Sequence, residues 1–503
     1  MTPRFLLFCL VYFLSQSDLL ADDTLVSKAN QTVKEFRRNI EQITNWCKKH
    51  HLETEARFAQ SALLPQFSDK ICIPRYPLKQ ATLAIEKGVP KKLPPHCTQY
   101  LTDKMPERPD VKWTDAQLVH SYLVFLREEM SNDLAALAKK ACKQGRGTLA
   151  AQLAMAALHA NPDNEKLRAA FGYVKYKDEW RSPWEVKKLK DGFVDHPQFG
   201  WIPSKLVGKY ENGQRYYKGN WISVEEDAQF HSKMENAWVI ESEFYRLATN
   251  HSIEGGVQLR RKLEHFYRAW RMLFFRFYAT DEQLANYFSG NITPQIPEYR
   301  HLMRIYRNKE EFRRERKEDE TVGGRYVGSE RCCFFSFGNG DHVPFGMMFH
   351  EGTHQLFAEI NGQKHRYGDS NNYWIVEGVA DFMATFTIEQ NYYTVGDRNM
   401  GRIWAAKKLW KDEKKLLPLS DLIEFNGTRK WTTEPYEDLG SLYNQTAGRF
   451  YYLMFADSGV YRDEMIVYLW MVYNKKDTAN TFQQLFKMTP AECDRKYQNF
   501  LEE

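Results

Sequence analysis

The chain has 503 residues, 43% of them hydrophobic and 27% charged, and its 70 Lys+Arg against 65 Asp+Glu leave a formal net charge of +5. That much apolar material buries a sizeable core and excludes a disordered or low-complexity chain. So small a charge, spread without a dominant block, provides no field to gather nucleic acid or a membrane surface. Aromatic residues reach 15%, an excess that packing explains more simply than ligand stacking.

Residues 1–21 read as a secretory signal peptide. Arg4 gives a short basic start, Phe5 to Leu14 are apolar, and Ser15-Gln16-Ser17 offers small residues for cleavage after Ser17, with Ala21 the alternative. The apolar run is too short to span a bilayer, and Arg462, Asp463 and Glu464 interrupt the best later stretch. A secreted or periplasmic chain without a transmembrane segment is expected. Cleavage removes Cys9 and leaves Cys47, Cys72, Cys97, Cys142, Cys332, Cys333 and Cys493. In an oxidising compartment the first four are expected to form two disulfides in one of three pairings. Cys332-Cys333 matches no redox or zinc-ribbon spacing and reads as a buried structural pair. Asn250 and Asn444 lie in Asn-x-Ser/Thr sequons.

Residues 22–165 carry apolar spacings of three and four and Ala-rich runs, which predict a helical domain. Within it, Leu134 to Tyr173 resembles one degenerate tetratricopeptide-type hairpin. Residues 166–230 hold an echo: Tyr176-Lys-Asp-Glu-Trp180-Arg-Ser182-x-x-Glu185 recurs as Tyr217-Lys-Gly-Asn-Trp221-Ile-Ser223-x-x-Glu226. Two similar hairpin units in a small β-rich module follow, with the Trp side chains filling a thin core or touching a ligand. A cell-envelope or protein partner would be held through residues 22–230. Residues 231–503 begin with an expected strand Val239–Thr249, a helix Glu254–Tyr278, a strand Leu302–Tyr306, a charged solvated helix Lys309–Lys317 and a strand Arg325–Phe337.

The chemistry concentrates after that strand, in Pro344-Phe-Gly-Met-Met-Phe-His350-Glu351-Gly352-Thr353-His354. Pro344 suits a helix start, and the apolar residues around the motif predict a buried helix. His350 and His354, four apart, project from one face, while Glu351 lies about 100° round from His350 and about 60° from His354. Two imidazoles can therefore hold one Zn²⁺ while the carboxylate reaches a water on it. A chance H-E-x-x-H has a probability of about 0.03 in such a chain. A second feature separates chemistry from chance: Trp374-Ile-Val-Glu377-Gly-Val-Ala-Asp381 is another apolar helical stretch. Glu377 and Asp381 share one face, so Glu377 can supply the third ligand and Asp381 can fix the tautomer of a ligand histidine. The joint coincidence falls to about 0.002. His342 and His365 lack ligand spacing and read as loop residues.

The helix, spacer and second helix resemble the glutamate-ligand zincins, the thermolysin-like metallopeptidases. Residues 239–490 are similar, more closely, to an uncharacterised branch of secreted bacterial peptidase-MA-like proteins. The resemblance implies an α+β fold: a zincin-like domain of mixed sheet, HExxH helix and helical C-terminal lobe, after an all-α domain and the β-rich module. It implies His350, His354 and Glu377 as zinc ligands, Glu351 as general base and Asp381 as the outer partner. A later helix opening with Tyr443-Asn444-Gln445-Thr446 matches a Tyr-x-Gln-Ser/Thr pattern. Tyr443 would donate to the oxyanion of a tetrahedral intermediate; a packed aromatic is the alternative. The strand Arg325–Phe337 would edge the cleft and pair with an extended peptide. Gly352 departs from helix propensity, at a cost of about 1 kcal/mol, and close packing against a neighbouring backbone is its expected reason. The function implied is zinc-dependent hydrolysis of a peptide or protein substrate. A non-catalytic binding protein with the same fold and a zinc hydrolase of a non-peptide wall amide are the alternatives.

Overall fold

The computed structural model describes residues 24–65, 67–76, 114–289, 299–320, 322–338, 343–360, 371–426 and 439–502. The expected signal peptide, Cys97, His342 and His365 lie outside the described residues.

The N-terminal region is helical: α1 (Thr24–Lys49), α2 (Glu53–Gln60), then a short strand β1 (Ile71–Pro74), α3 (Asp115–Lys143), α4 (Gly147–Ala160) and α5 (Glu165–Ala170). Thr114 and Gln117 form a capping box that starts α3, and α4 is so rich in Ala and Leu that it is buried almost all round. The helices share one apolar core from Leu25 to Leu167. Among the described residues the exception to the all-helical expectation is β1, which leaves this core and pairs with a strand near residue 393. Cys47 and Cys142 are free thiols, so the four cysteines do not form the expected pair of disulfides. Each packs as a small apolar group on its own helix; burial pushes the Cys47 thiol up to about 12.

Three hairpins follow, each leading into a short helix: β2 (Val174–Tyr176) and β3 (Glu179–Arg181) into α6 (Pro183–Lys190), β4 (Phe193–His196) and β5 (Gly200–Pro203) into α7 (Val207–Glu211), and β6 (Gln214–Tyr217) and β7 (Asn220–Ser223) into α8 (Val224–Phe230). The expected two units are therefore the outer two of three. Trp180, Trp201 and Trp221 occupy matching register positions, opposite Lys175, Asp195 and Tyr216. The outer turns place Lys177-Asp178 and Lys218-Gly219 at positive φ, and Ser182/Glu185 and Ser223/Glu226 cap the helices that follow. The middle unit uses a longer turn and no capping box, which hid it from the sequence comparison. Trp180 is core: its indole donates to Asp163 at 2.8 Å, beneath Arg168. Trp201 packs edge-on against Trp184, and Trp221 lies under Lys209.

Beyond the hairpins, the expected strand at 239–249 is two, β8 (Trp238–Glu241) and β9 (Tyr245–Thr249), because Ser242 turns the chain and bonds the Glu264 carboxylate. Then come α9 (Ile253–Leu273), α10 (Phe275–Tyr278), α11 (Asp281–Phe288), β10 (His301–Tyr306), α12 (Lys309–Arg316), β11 (Gly324–Val327) and β12 (Cys332–Ser336). The expected strand 325–337 is likewise two, split where Gly328 to Arg331 turn back, with Arg331 at positive φ. The five strands form a mixed sheet, β11-β12-β10-β9-β8, parallel only at β12/β10 and β10/β9. Alternation along β12 sends Cys333 into the main core and Cys332 into a small cluster with Tyr306 and Phe312, so both are buried as expected.

The remaining elements are α13 (Phe345–Ile360), α14 (Tyr373–Met383), β13 (Thr387–Ile388), β14 (Tyr392–Val395), α15 (Gly401–Glu413), α16 (Leu419–Glu424), α17 (Leu439–Gly459), α18 (Arg462–Tyr473), α19 (Thr481–Phe486) and α20 (Pro490–Glu502). Their core is continuous with that of the sheet. Two exchanges tie this region to the N-terminal helices. Ile71 and Ile73 of β1 enter the main core beside β14, and α11 packs on α4, where Asp281 accepts from the Thr148 amide and hydroxyl at 2.9 Å each. Among the described residues, no helix is long and apolar enough to cross a membrane. Asn250 is buried and donates to Glu311, so its sequon is not accessible.

Candidate metal centre

Helix α13 starts after Pro344 and packs on β11, β12 and α14, which buries Met348, Phe349 and Gly352 to Glu359 and leaves His350 and Glu351 half-buried. Phe349 stacks on Phe266 of α9, which holds the helix in rotation. A Cβ at Gly352 would meet the Phe266 ring at 3.4 Å and Met303 at 3.8 Å. The close neighbours there are side chains, not the backbone expected. The tighter requirement is at Gly378, where a Cβ would stand 2.9 Å from both Thr446 O and Phe450 Cβ. Gly378 lets α17 lie against α14 beside Glu377, and that approach brings Tyr443 to the site.

On this scaffold His350, His354 and Glu377 each offer one ligand atom, all within 4.8 Å of one another. The Nε2 atoms of His350 and His354 are 3.2 Å apart; Glu377 Oε2 lies 3.2 Å from the first and 3.7 Å from the second. A tetrahedral site with bonds near 2.0–2.2 Å has edges of about 3.4 Å. The three donors thus form a candidate metal site, with spacings that fit an ion of zinc's size. Asp381 Oδ1 accepts from His350 Nδ1 at 3.0 Å, which leaves the Nε2 lone pair facing the other two donors. His354 Nδ1 is buried without a hydrogen-bond partner among the described residues.

The charges support one another. Burial disfavours a charged His350, yet Asp381 and Glu377 carry it well above the ordinary imidazole value. Burial likewise works against Glu377 as an anion, but His354 and His350 hold it well below the usual carboxylate range.

Glu351 stands apart from the ligand group. Its Oε2 accepts the backbone N–H of Tyr326 at 2.7 Å. That N–H belongs to β11, the edge strand, and faces away from β12. The Tyr326 hydroxyl reaches Glu359 Oε1 at 3.3 Å, and Glu359 also holds His301 at 2.8 Å and Gln355 at 3.2 Å, so a buried polar network anchors the edge strand to α13. Tyr443 reaches the site as well: burial and the charges of Glu377 and Asp381 push its phenol up, and the Arg402 guanidinium lies 4.6 Å from its ring.

Three participants were absent from the sequence reading. Tyr373, one helical turn before Glu377, has its phenol raised by burial and by that carboxylate, and its spacing could have been read. Arg402 of α15, 3.3 Å from Asp381, and the Tyr326 amide had no sequence signal. No protein-family model matches the chain, and no curated protein does either. The functional reading therefore rests on the site.

Proposed function

We propose that the protein is an exported zinc-dependent metallopeptidase of the glutamate-ligand type. The observation that carries this is the division of labour among four side chains: three donor atoms converge, while the adjacent Glu351 is held aside by the Tyr326 amide. Zinc bound by His350, His354 and Glu377 would supply Lewis acidity toward a carbonyl and ease ionisation of a water. Glu351 takes the proton of the attacking water and returns it to the leaving amine. Tyr443 donates to the developing oxyanion. Asp381 keeps His350 in the ligating tautomer. Beyond the Tyr326 amide, which Glu351 takes, the outward edge of β11 would offer an extended peptide a strand to pair with, and residues 22–230 would hold an envelope or protein partner.

The test is metal analysis of purified protein together with peptide-library cleavage, for wild type, His350→Ala and Glu351→Gln. Stoichiometric zinc and cleavage in the wild type are expected. His350→Ala loses both, and Glu351→Gln keeps zinc and loses cleavage. A metal-free wild type, or an active Glu351→Gln, would overturn the reading. Zinc without cleavage of any peptide would favour a binding protein, and cleavage confined to non-peptide amides a different hydrolase.

A further inference from the structure

Two adjoining cavities, about 170 Å³ and 250 Å³, lie where the N-terminal helices, the hairpins and the sheet region meet. Both are lined by Tyr76, Tyr173, Glu243, Arg268 and Met272, so they form one cleft. Glu264, Arg268 and Arg271 recur at four and three residues along α9 and line it, whereas Phe266, on the opposite side of the helix, packs against α13. The cleft is therefore on the face of α9 turned away from the metal centre.

Its two ends differ in chemistry. The smaller is walled by Met155, Phe171, Phe275, Leu284 and Phe288. The larger is lined by Arg75, Arg181, Arg260, Arg261 and Arg268 against Glu185, Asp195, Glu243 and Glu264. Asp195 is taken by Arg260 at 2.5 Å and Arg261 at 3.3 Å, and Arg181 is held by Glu179 at 2.5 Å. Glu264 is occupied by the Ser242 hydroxyl and the Phe244 amide and comes no nearer to Arg268 than 3.9 Å. Arg271 lines the smaller cavity, beside Arg268 where the two cavities join; the Tyr267 and Tyr278 side chains bond it, and among the described residues no carboxylate lies within 4.0 Å of it. Burial pushes Glu243 up to about 8, with Arg268 pulling against the shift and Glu264 adding to it. His265 also lines the larger end; burial first, and then Arg75, Arg268, Arg261 and Arg260, push it down to about 3.

We propose that this cleft binds an amphiphilic anion, an apolar chain or ring bearing a carboxylate or phosphate, with the apolar part among Phe171, Phe275 and Phe288 and the anionic group at Arg268 and Arg271. Apolar walls with a few convergent charged groups are what a small-molecule site requires, and guanidinium groups suit both headgroups. A bound ligand would bridge α4, α5 and α9, and so tie the N-terminal helices to the metal-bearing region. The site stands independently of the metallopeptidase reading.

Calorimetric titration of the full chain with decanoate, decyl phosphate, decanol and inorganic phosphate tests it. One amphiphilic anion is expected to bind at least about tenfold tighter than decanol or inorganic phosphate, and Arg268→Gln or Arg271→Gln to weaken it by about tenfold or more. The relative strength of decanoate and decyl phosphate tells a carboxylate ligand from a phosphate one. Met155→Trp, which fills the apolar end and leaves every charge in place, is expected to abolish binding with metal content unchanged; it serves also if the arginine variants fail to fold. Equal affinity for decanol and the anions, for decyl phosphate and inorganic phosphate with no preference for decanoate, or undiminished binding in Met155→Trp would overturn the proposal.

Discussion

Every residue of α14 after Tyr373 is buried, whereas β6 and β7 together bury only Arg215. The two regions hold their shapes by different means. Around α14 the backbone is placed by neighbours far away in sequence: Gly378 admits α17, Trp374 packs toward Tyr468 of α18, and Glu377 meets imidazoles from α13. In the hairpins the shape is set within a few residues, by left-handed turn positions and capping boxes. Damage to the first region should therefore be large and reach the metal centre. Damage to the second should be small and stay local.

The largest effect expected is from Trp374→Ala, which removes a fully buried indole beside the site. A loss of about 3–5 kcal/mol is expected in denaturant unfolding, with reduced metal content. Gly378→Ala drives a methyl against Thr446 O and Phe450 Cβ and should cost about 1–3 kcal/mol. Its sharper signature is weaker zinc binding in chelator competition, although no ligand has changed. Asp381→Asn should lower zinc affinity by about 10–100-fold. In the hairpins, Ser223→Ala removes an exposed cap and should cost about 1 kcal/mol or less, leaving zinc content and turnover at wild-type levels. If it altered either, the separation of the two regions would be lost.

The smallest effect is a pH dependence. Burial disfavours a charged His231, but Asp227 and the Asn236 carbonyl outweigh it and carry the imidazole above its ordinary 6.5. A raised folded value stabilises the fold fully below the unfolded value and loses that contribution as pH rises through the folded one. Unfolding midpoints of wild type and His231→Gln should thus differ more at pH ~5.5 than at pH ~8.5.

Much of the candidate site was legible because its informative spacings are helical. The relation of His350 to His354, and of Glu377 to Asp381, follows from intrahelical geometry, which depends only on nearby residues. The middle hairpin was not legible: its turn, His196 to Gly200, is longer than the outer two, and the motif shared by Tyr176 and Tyr217 breaks there. The strands at 239–249 and 325–337 read as continuous because apolar and aromatic residues flank both turns. The turns at Ser242 and at Gly328 to Arg331 are held by contacts outside the runs themselves or by a single left-handed residue. The disulfide expectation failed because it came from compartment and number; Cys47 and Cys142 are seated in helix packing instead.

A near-neutral, aromatic-rich sequence by itself determined which side chains share a helix face, and so which could act together on one ion. Only the tertiary structure decided that the two faces meet, with Nε2 and Oε2 atoms about one tetrahedral edge apart. It alone placed the Tyr326 amide on Glu351, Arg402 beside Asp381, and β1 beside β14. The physical reason is range. Helical period and capping act over three or four residues, whereas the approach of α14 to α17 and the clustering of arginines in the α9 cleft depend on packing between segments that the sequence keeps far apart.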